Sequence, residues 1–210
     1  MIIAIDGPAA SGKGTVARRL AAHYGLRHLD TGMLYRAVAA RVIAAGGGIE
    51  DAAARLEAAR GIEAENLADE ALLRGPGMGE AASIVAADPA VRAAMLEFQR
   101  SFARTPPGAV LDGRDIATVV CPDADAKVFV TAAAETRARR RHKEILAAGG
   151  EITYDQVLAD IRRRDERDSA RAVAPLRKAD DAHLLDTTEL DIEAAFRAAV
   201  DLISGSTAAN

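Results

Sequence analysis

The chain has 210 residues, a net charge of −4, 3% aromatic residues and no tryptophan, which suits one sizeable α/β domain with insertions better than two independent domains. The acidic balance argues against general electrostatic binding to nucleic acid, and neither an apolar run of membrane-spanning length nor a secretory leader is read from the sequence. The single Cys121 permits no internal disulfide and no cysteine-rich metal site, so a buried thiol in a cytoplasmic protein is expected.

In chain order, residues 2–5 are continuously apolar and predict a strand covered on both faces. A run of small residues follows, Gly7-Pro8-Ala9-Ala10-Ser11-Gly12, and then Lys13-Gly14-Thr15, where a helix should begin. Residues 28–30 form a weaker strand candidate. Between residues 36 and 107 there is room for several helices; one is marked by Asp88 as cap, Pro89 in its first turn and Val91, Met95, Phe98 and Phe102 on one face. Residues 73–79, rich in glycine around Pro76, read as a mobile loop. Further strands are expected at residues 109–111, 127–130 and 183–185. The crossover between the last two is crowded with arginine, and residues 204–210 read as a disordered tail. Strands alternating with helices predict a doubly wound α/β fold with about five parallel strands.

The stretch Gly7 to Thr15 carries the clearest chemistry. Phosphate oxygens need a concave row of backbone N–H groups, which large side chains would obstruct. Glycine also reaches backbone angles that other residues resist. A lysine at the helix start reaches the β- and γ-phosphates, and a nearby hydroxyl can help hold Mg²⁺. The consensus hydroxyl directly after the lysine is replaced here by Gly14, and Thr15 supplies it one residue later. A strand before and a helix after favour a nucleoside triphosphate site over a plain glycine-rich turn.

The Gly-Lys-Gly-Thr order resembles nucleoside monophosphate kinases. "DTGMLYRAVA" from Asp30, "AASIVAADPAVR" ending at Arg92, "LDGRDIATVVCPDADAKVF" from Leu111 and "RRDERDSARAVAPL" from Arg163 narrow the resemblance to the bacterial cytidylate (CMP/dCMP) kinase family. Four motifs in order span most of the chain. The resemblance implies a three-layer P-loop kinase fold, with a single domain over residues 1–210. An acceptor-nucleotide insert is expected at roughly residues 37–108 and an arginine-rich lid at roughly 135–175, although the stretch from Gly61 to Gly79 is shorter than usual for the family. The implied activity is transfer of the γ-phosphoryl group of ATP to CMP or dCMP, with Mg²⁺.

The family's positions then map onto this chain. Gly7, Pro8, Ala9, Ala10, Ser11, Gly12, Lys13, Gly14 and Thr15 would bind ATP. Ser83, Arg92 and Asp115 would contact the base; a carboxylate facing N4 and a cationic fork facing N3 and O2 suit cytosine and oppose uracil. Arg36, Arg114 and Arg171 would grip the acceptor phosphate, and Lys13, Arg114 and Arg171 are the expected catalytic set. Arg164 and Asp168 would reach the ribose, while Thr31 and Tyr35 line the same site. Thr15 and Asp112 are the candidates near Mg²⁺, and Asp112 could equally fix Arg114 by a salt bridge. Arg137 and Arg141, four residues apart, either cover the ATP phosphates from the lid or form a solvated basic face. The expected partners are small molecules alone, bound by a monomer. A switch ATPase or a nucleic-acid module fits less well: no Asn-Lys-x-Asp stretch is present, and aromatic residues are scarce.

Overall fold

The computed structural model describes residues 1–75 and 77–207. Among them, five strands form one sheet: β1 (Ile2–Asp6), β2 (Arg27–Asp30), β3 (Ala109–Gly113), β4 (Ala126–Thr131) and β5 (His183–Asp186). Their order is β2-β3-β1-β4-β5. β1 is central and pairs in parallel with β3 (Ile3 opposite Val110) and with β4 (Ile5 opposite Val128), and β4 pairs with β5. Every expected strand is present, and each extends past its apolar run into polar residues such as Asp6, Asp112 and Asp186. The ladder is a backbone property, so it continues where the side chains turn polar at the carboxyl ends. In open α/β sheets those ends carry the ligand.

The helices are α1 (Lys13–Tyr24), α2 (Thr31–Ala44), α3 (Ala52–Arg60), α4 (Glu70–Leu73), α5 (Met78–Val85), α6 (Pro89–Arg104), α7 (Ala134–Ala147), α8 (Tyr154–Ser169) and α9 (Ile192–Thr207). Two tighter elements accompany them, a 3-10 turn at Ala64–Leu67 and a π-helical turn at Ile116–Val120. The chain divides into two compact units. One comprises Met1–Leu29 with the chain from Ala103 onward, and the other is Asp30–Phe102. The first unit has its core between β1, β4, α1 and α9, where Ile3, Ile5, Leu20, Val128, Val130, Ala199 and Ile203 are almost fully buried. In the second unit α2 packs on α3 and α5, with Leu34, Val38 and Val85 fully buried. Asp88 accepts from the Ala90 amide at 2.9 Å and pairs with Arg55 at 2.9 Å, so the expected cap of α6 is in place.

Two expectations about irregular segments are corrected. Residues 204–210 do not begin a disordered tail, because α9 continues to Thr207; Ile203, fully buried, anchors its last turns against the sheet. Residues 208–210 lie outside the described residues. Nor is 73–79 a loop throughout. Leu73 closes α4 and Met78 opens α5, both buried, and the αL conformation of Gly77 (φ +77°) forms the N-cap between them. Pro76, the expected flexible point, lies outside the described residues.

Candidate active site

The small-residue loop leaves β1 at Asp6 and enters α1 at Lys13. A Cβ at Gly7 would lie 2.0 Å from the carbonyl oxygen of Val130, so only glycine fits against β4 there. Gly12 caps α1 at φ +87°, and Ala10 holds φ +58°, a conformation that costs a non-glycine residue about 1 kcal/mol. α1 has no side-chain cap and no acidic residue in its first turn. Its positive end therefore faces the loop without a built-in anion. Inside the loop the buried Ser11 hydroxyl has no hydrogen-bond partner among the described residues. Lys13 folds back over the loop, with Nζ donating to the Pro8 carbonyl at 3.2 Å. Loop, helix end and lysine form a cradle of donors that fits a polyphosphate. Next to it, a cavity of about 470 Å³ is bounded by Ser11, Gly12 and Thr15 on one side and by Arg140, Thr187 and Leu190 on the other. Arg140 donates to the Thr187 hydroxyl at 3.1 Å and to the Thr187 carbonyl at 2.6 Å, fixing that wall.

Asp112 and Gly113 end β3, and Arg114 and Asp115 follow. Asp112 is buried and bonded to His28 Nε2 at 2.9 Å, and its second oxygen lies 3.5 Å from where a Cβ on Gly14 would stand. Arg114 does not pair with Asp112; its Nε donates to Asp168 Oδ2 at 2.8 Å. The other oxygen of Asp168 accepts from Arg171. Asp168 sits near the end of α8, whose start is fixed by a capping box between Thr153 and Gln156. Burial alone would raise the Asp168 carboxyl, but the guanidinium groups of Arg114, Arg171 and Arg164 outweigh it and hold the group below its ordinary range. The result is one buried carboxylate clamping two arginine forks side by side.

The two lid candidates on α7 have different surroundings. Arg137 is buried; it donates to Asp165 of α8 at 2.6 Å, to the Ala132 carbonyl at 2.8 Å and to the Ala9 carbonyl of the small-residue loop at 3.2 Å. Arg141 lies near the surface and pairs with Glu144 at 3.2 Å. α7 and α8 meet around Ala138, Val157 and Ile161.

In the second unit, Thr31 starts α2 and is buried, as are Tyr35 one turn on and Ser83 in α5. The buried Arg92 of α6 donates to the Ala86 carbonyl at 3.2 Å and stands 5.6 Å from the centre of the Tyr35 ring. Arg36 donates to the Leu73 carbonyl, at the end of α4, at 3.0 Å.

Sequence reasoning missed Asp6. Its carboxylate is 2% exposed and accepts from the backbone N–H groups of Ile116 and Ala117, each at 2.8 Å. Burial pushes the Asp6 carboxyl up to about 7; the bonds from Ala117 and Ile116 work in the opposite direction. The available signal was an acidic residue closing the central apolar strand.

The family model for cytidylate kinase matches residues 3–204. The chain belongs to the cytidylate kinase family. The cytidylate kinase of Xanthobacter autotrophicus is 63% identical over 203 residues, covering 97% of both chains. That of Rhodopseudomonas palustris is 60% identical over 203 residues, covering 97% of this chain and 95% of its own. A solved structure of an uncharacterized protein from Eubacterium ventriosum shares the fold, with a TM-score of 0.58 at 16% identity over 97% of this chain and 98% of that one. As a family member, the chain is an ATP-dependent phosphotransferase acting on CMP and dCMP. No helix among the described residues is long and apolar enough to cross a membrane.

Proposed function

We propose that this cytidylate kinase family member transfers the γ-phosphoryl group of ATP to CMP or dCMP, holding donor and acceptor through backbone amides and cationic side chains. The backbone N–H groups from Ala9 to Gly14, with the Lys13 ammonium, hold the donor polyphosphate, Thr15 adds its hydroxyl, and the cavity beyond Ser11 takes the donor's nucleoside. Arg36, Arg114 and Arg171 hold the acceptor phosphate, with Arg164 and Asp168 toward the ribose. Ser83, Arg92 and Asp115 select the base, Thr31 and Tyr35 line the acceptor's place, and Arg137 and Arg141 belong to the lid. The observation that carries this reading is the Arg114–Asp168–Arg171 array, two forks oriented in advance by one carboxylate.

Little covalent chemistry is asked of the protein. The acceptor oxygen is already anionic, so no general base is needed, and catalysis reduces to in-line placement and neutralisation of charge. The forks fix the acceptor at no cost in orientation during the step, because Asp168 has ordered them beforehand. Lys13, released from Pro8, follows the charge on the transferring group. Among the described residues no cluster of three or more acidic, histidine or cysteine side chains surrounds a metal position. The Asp112 carboxylate and the Thr15 hydroxyl nevertheless offer hard oxygens at the start of α1, which suits Mg²⁺ taking most of its ligands from ATP and water. Asp112 and Thr15 would hold Mg²⁺ there, and the ion would supply positive charge that offsets the charge of the phosphates.

A coupled ADP-release assay offering CMP, dCMP, UMP and AMP in turn, run on the native chain and on Asp115→Ala, tests the reading. The native chain should favour CMP and dCMP, and Asp115→Ala should narrow the preference for CMP over UMP by about tenfold while the KM for ATP holds. An equal loss for both acceptors would leave Asp115 as scaffold and sink the assignment of the base site.

A further inference from the structure

We propose that Asp6 is a positioning residue for base selection, setting the place of the Asp115 carboxylate by gripping the two backbone N–H groups that follow it. The inference rests on the reading of Asp115 as a base contact and adds the group that aims it.

Asp115 stands at a junction. Before it, Gly113 is the last residue of β3 and lies opposite Asp6 across the parallel ladder, with its carbonyl accepting from Gly7 N at 3.3 Å. After it comes the π-helical turn Ile116–Val120, a rare form that recurs at functional sites. Asp115 opens that turn with φ −145° and ψ 24°, outside the helical range, and its carbonyl accepts from Val119 at 2.9 Å and from Val120 at 3.2 Å. The first N–H groups of any helical turn have no partner within it. Here Asp6 supplies that partner, one oxygen for Ile116 and the other for Ala117, each at 2.8 Å.

The carboxylate is the side chain that fits this task. In its ionised form it offers two acceptor oxygens and no donor, whereas an asparagine sets an NH₂ group against one of the two N–H groups at every pH. β1 also gives it a rigid base, because the strand is held on both sides by β3 and β4. Asp115 is therefore fixed from two directions by one side chain's surroundings: by the ladder through Gly113 and by Asp6 through Ile116 and Ala117. A carboxylate in a nearly dry site is an expensive way to hold a turn that only needs to be folded. It is a fitting way to hold one whose leading residue must reject uracil by position.

The test uses the full chain and four proteins: native, Asp6→Asn, Asp115→Ala and the double variant. The readouts are kcat and KM for CMP and for UMP, KM for ATP, and the thermal midpoint. Asp6→Asn should narrow the CMP-over-UMP preference at least fivefold, mainly through KM for CMP, with KM for ATP within twofold. The double variant should narrow it no further than Asp115→Ala alone, since both act through one carboxylate. Should Asp115→Ala narrow the preference while Asp6→Asn only lowers the midpoint, Asp6 is structural and the inference is overturned with the base assignment intact. Should Asp115→Ala itself leave the preference unchanged, the base assignment fails and the inference goes with it. If Asp6→Asn does not fold, Asp6→Glu, which keeps both acceptor oxygens but moves them by one methylene, takes its place: a narrowed CMP-over-UMP preference with KM for ATP held supports positioning, and an unchanged preference in a folded protein whose midpoint has fallen overturns it.

Discussion

Replacing Asp168 by asparagine keeps the shape of the side chain and removes its charge. In the native chain this carboxylate is 1% exposed and receives Arg114 and Arg171, whose side chains are 14% and 5% exposed. Removing one partner from a buried ionic array costs about 3–5 kcal/mol, because the remaining charges lose their compensation. The asparagine oxygen can still accept one of the two bonds, which returns about 1 kcal/mol. A loss of about 2–4 kcal/mol in urea unfolding is therefore expected. The kinetic effect is larger than instability explains, because both forks lose the group that orients them. If each fork gives up about 1.5–2 kcal/mol of transition-state contact, kcat/KM for CMP falls by about 10²–10³. KM for ATP, set at the loop before α1, should stay within about threefold of native. The exposed pair of Arg163 with Asp160 is the control, and Asp160→Asn should change neither quantity measurably. A folded Asp168→Asn protein with kcat/KM within threefold of native would refute the claim that the array orients the acceptor's arginines.

Gly7→Ala would place a methyl 2.0 Å from the Val130 carbonyl oxygen, a contact that relaxes only by moving the loop or β4. A loss of about 3 kcal/mol or more in stability and of binding to a fluorescent ATP analogue should follow. The Asp6 carboxyl predicts a pH dependence whose sign is unusual for an acid. With a folded value of about 7 against 3.8 unfolded, the native state binds more protons over that window, so stability falls as pH rises through it. The effect is at most about 4 kcal/mol in total, with Asp115 deepening it and Arg114 opposing it. Urea titrations between pH 5 and 8 should show this decline in the native chain and its loss in Asp6→Asn; identical slopes would contradict it.

Much of the fold was legible because three of the five strands are nearly continuous apolar runs and the loop before α1 spends its length on small residues. What escaped was whatever depends on residues distant in sequence. Arginines four apart suggest a shared basic face, yet Arg137 is drawn inside by Asp165, 28 residues away on the neighbouring helix, while Arg141 stays near the surface. The same limit hid His28 as the partner of Asp112, 84 residues on, and Asp6 as the acceptor for Ile116, 110 residues on. A polar residue at the end of a strand reads locally as a terminator, whatever it later holds. The small residues from Ser204 onward suggested a frayed end because composition does not register that Ile203 is buried beside them. The acceptor-site residues came from motif resemblance, since nothing in their spacing alone distinguishes Arg92 from a surface arginine.

The central claim is that the loop from Gly7 to Thr15, with its lysine, holds the phosphates being transferred. Steady-state turnover of Lys13→Ala with saturating ATP and CMP tests it most directly. Lys13 opens α1 and its Nζ donates to the Pro8 carbonyl at 3.2 Å, so kcat should drop by about 10³ or more, with the thermal midpoint measured alongside to separate lost chemistry from lost fold. Turnover within tenfold of native in a normally folded Lys13→Ala protein would contradict the account.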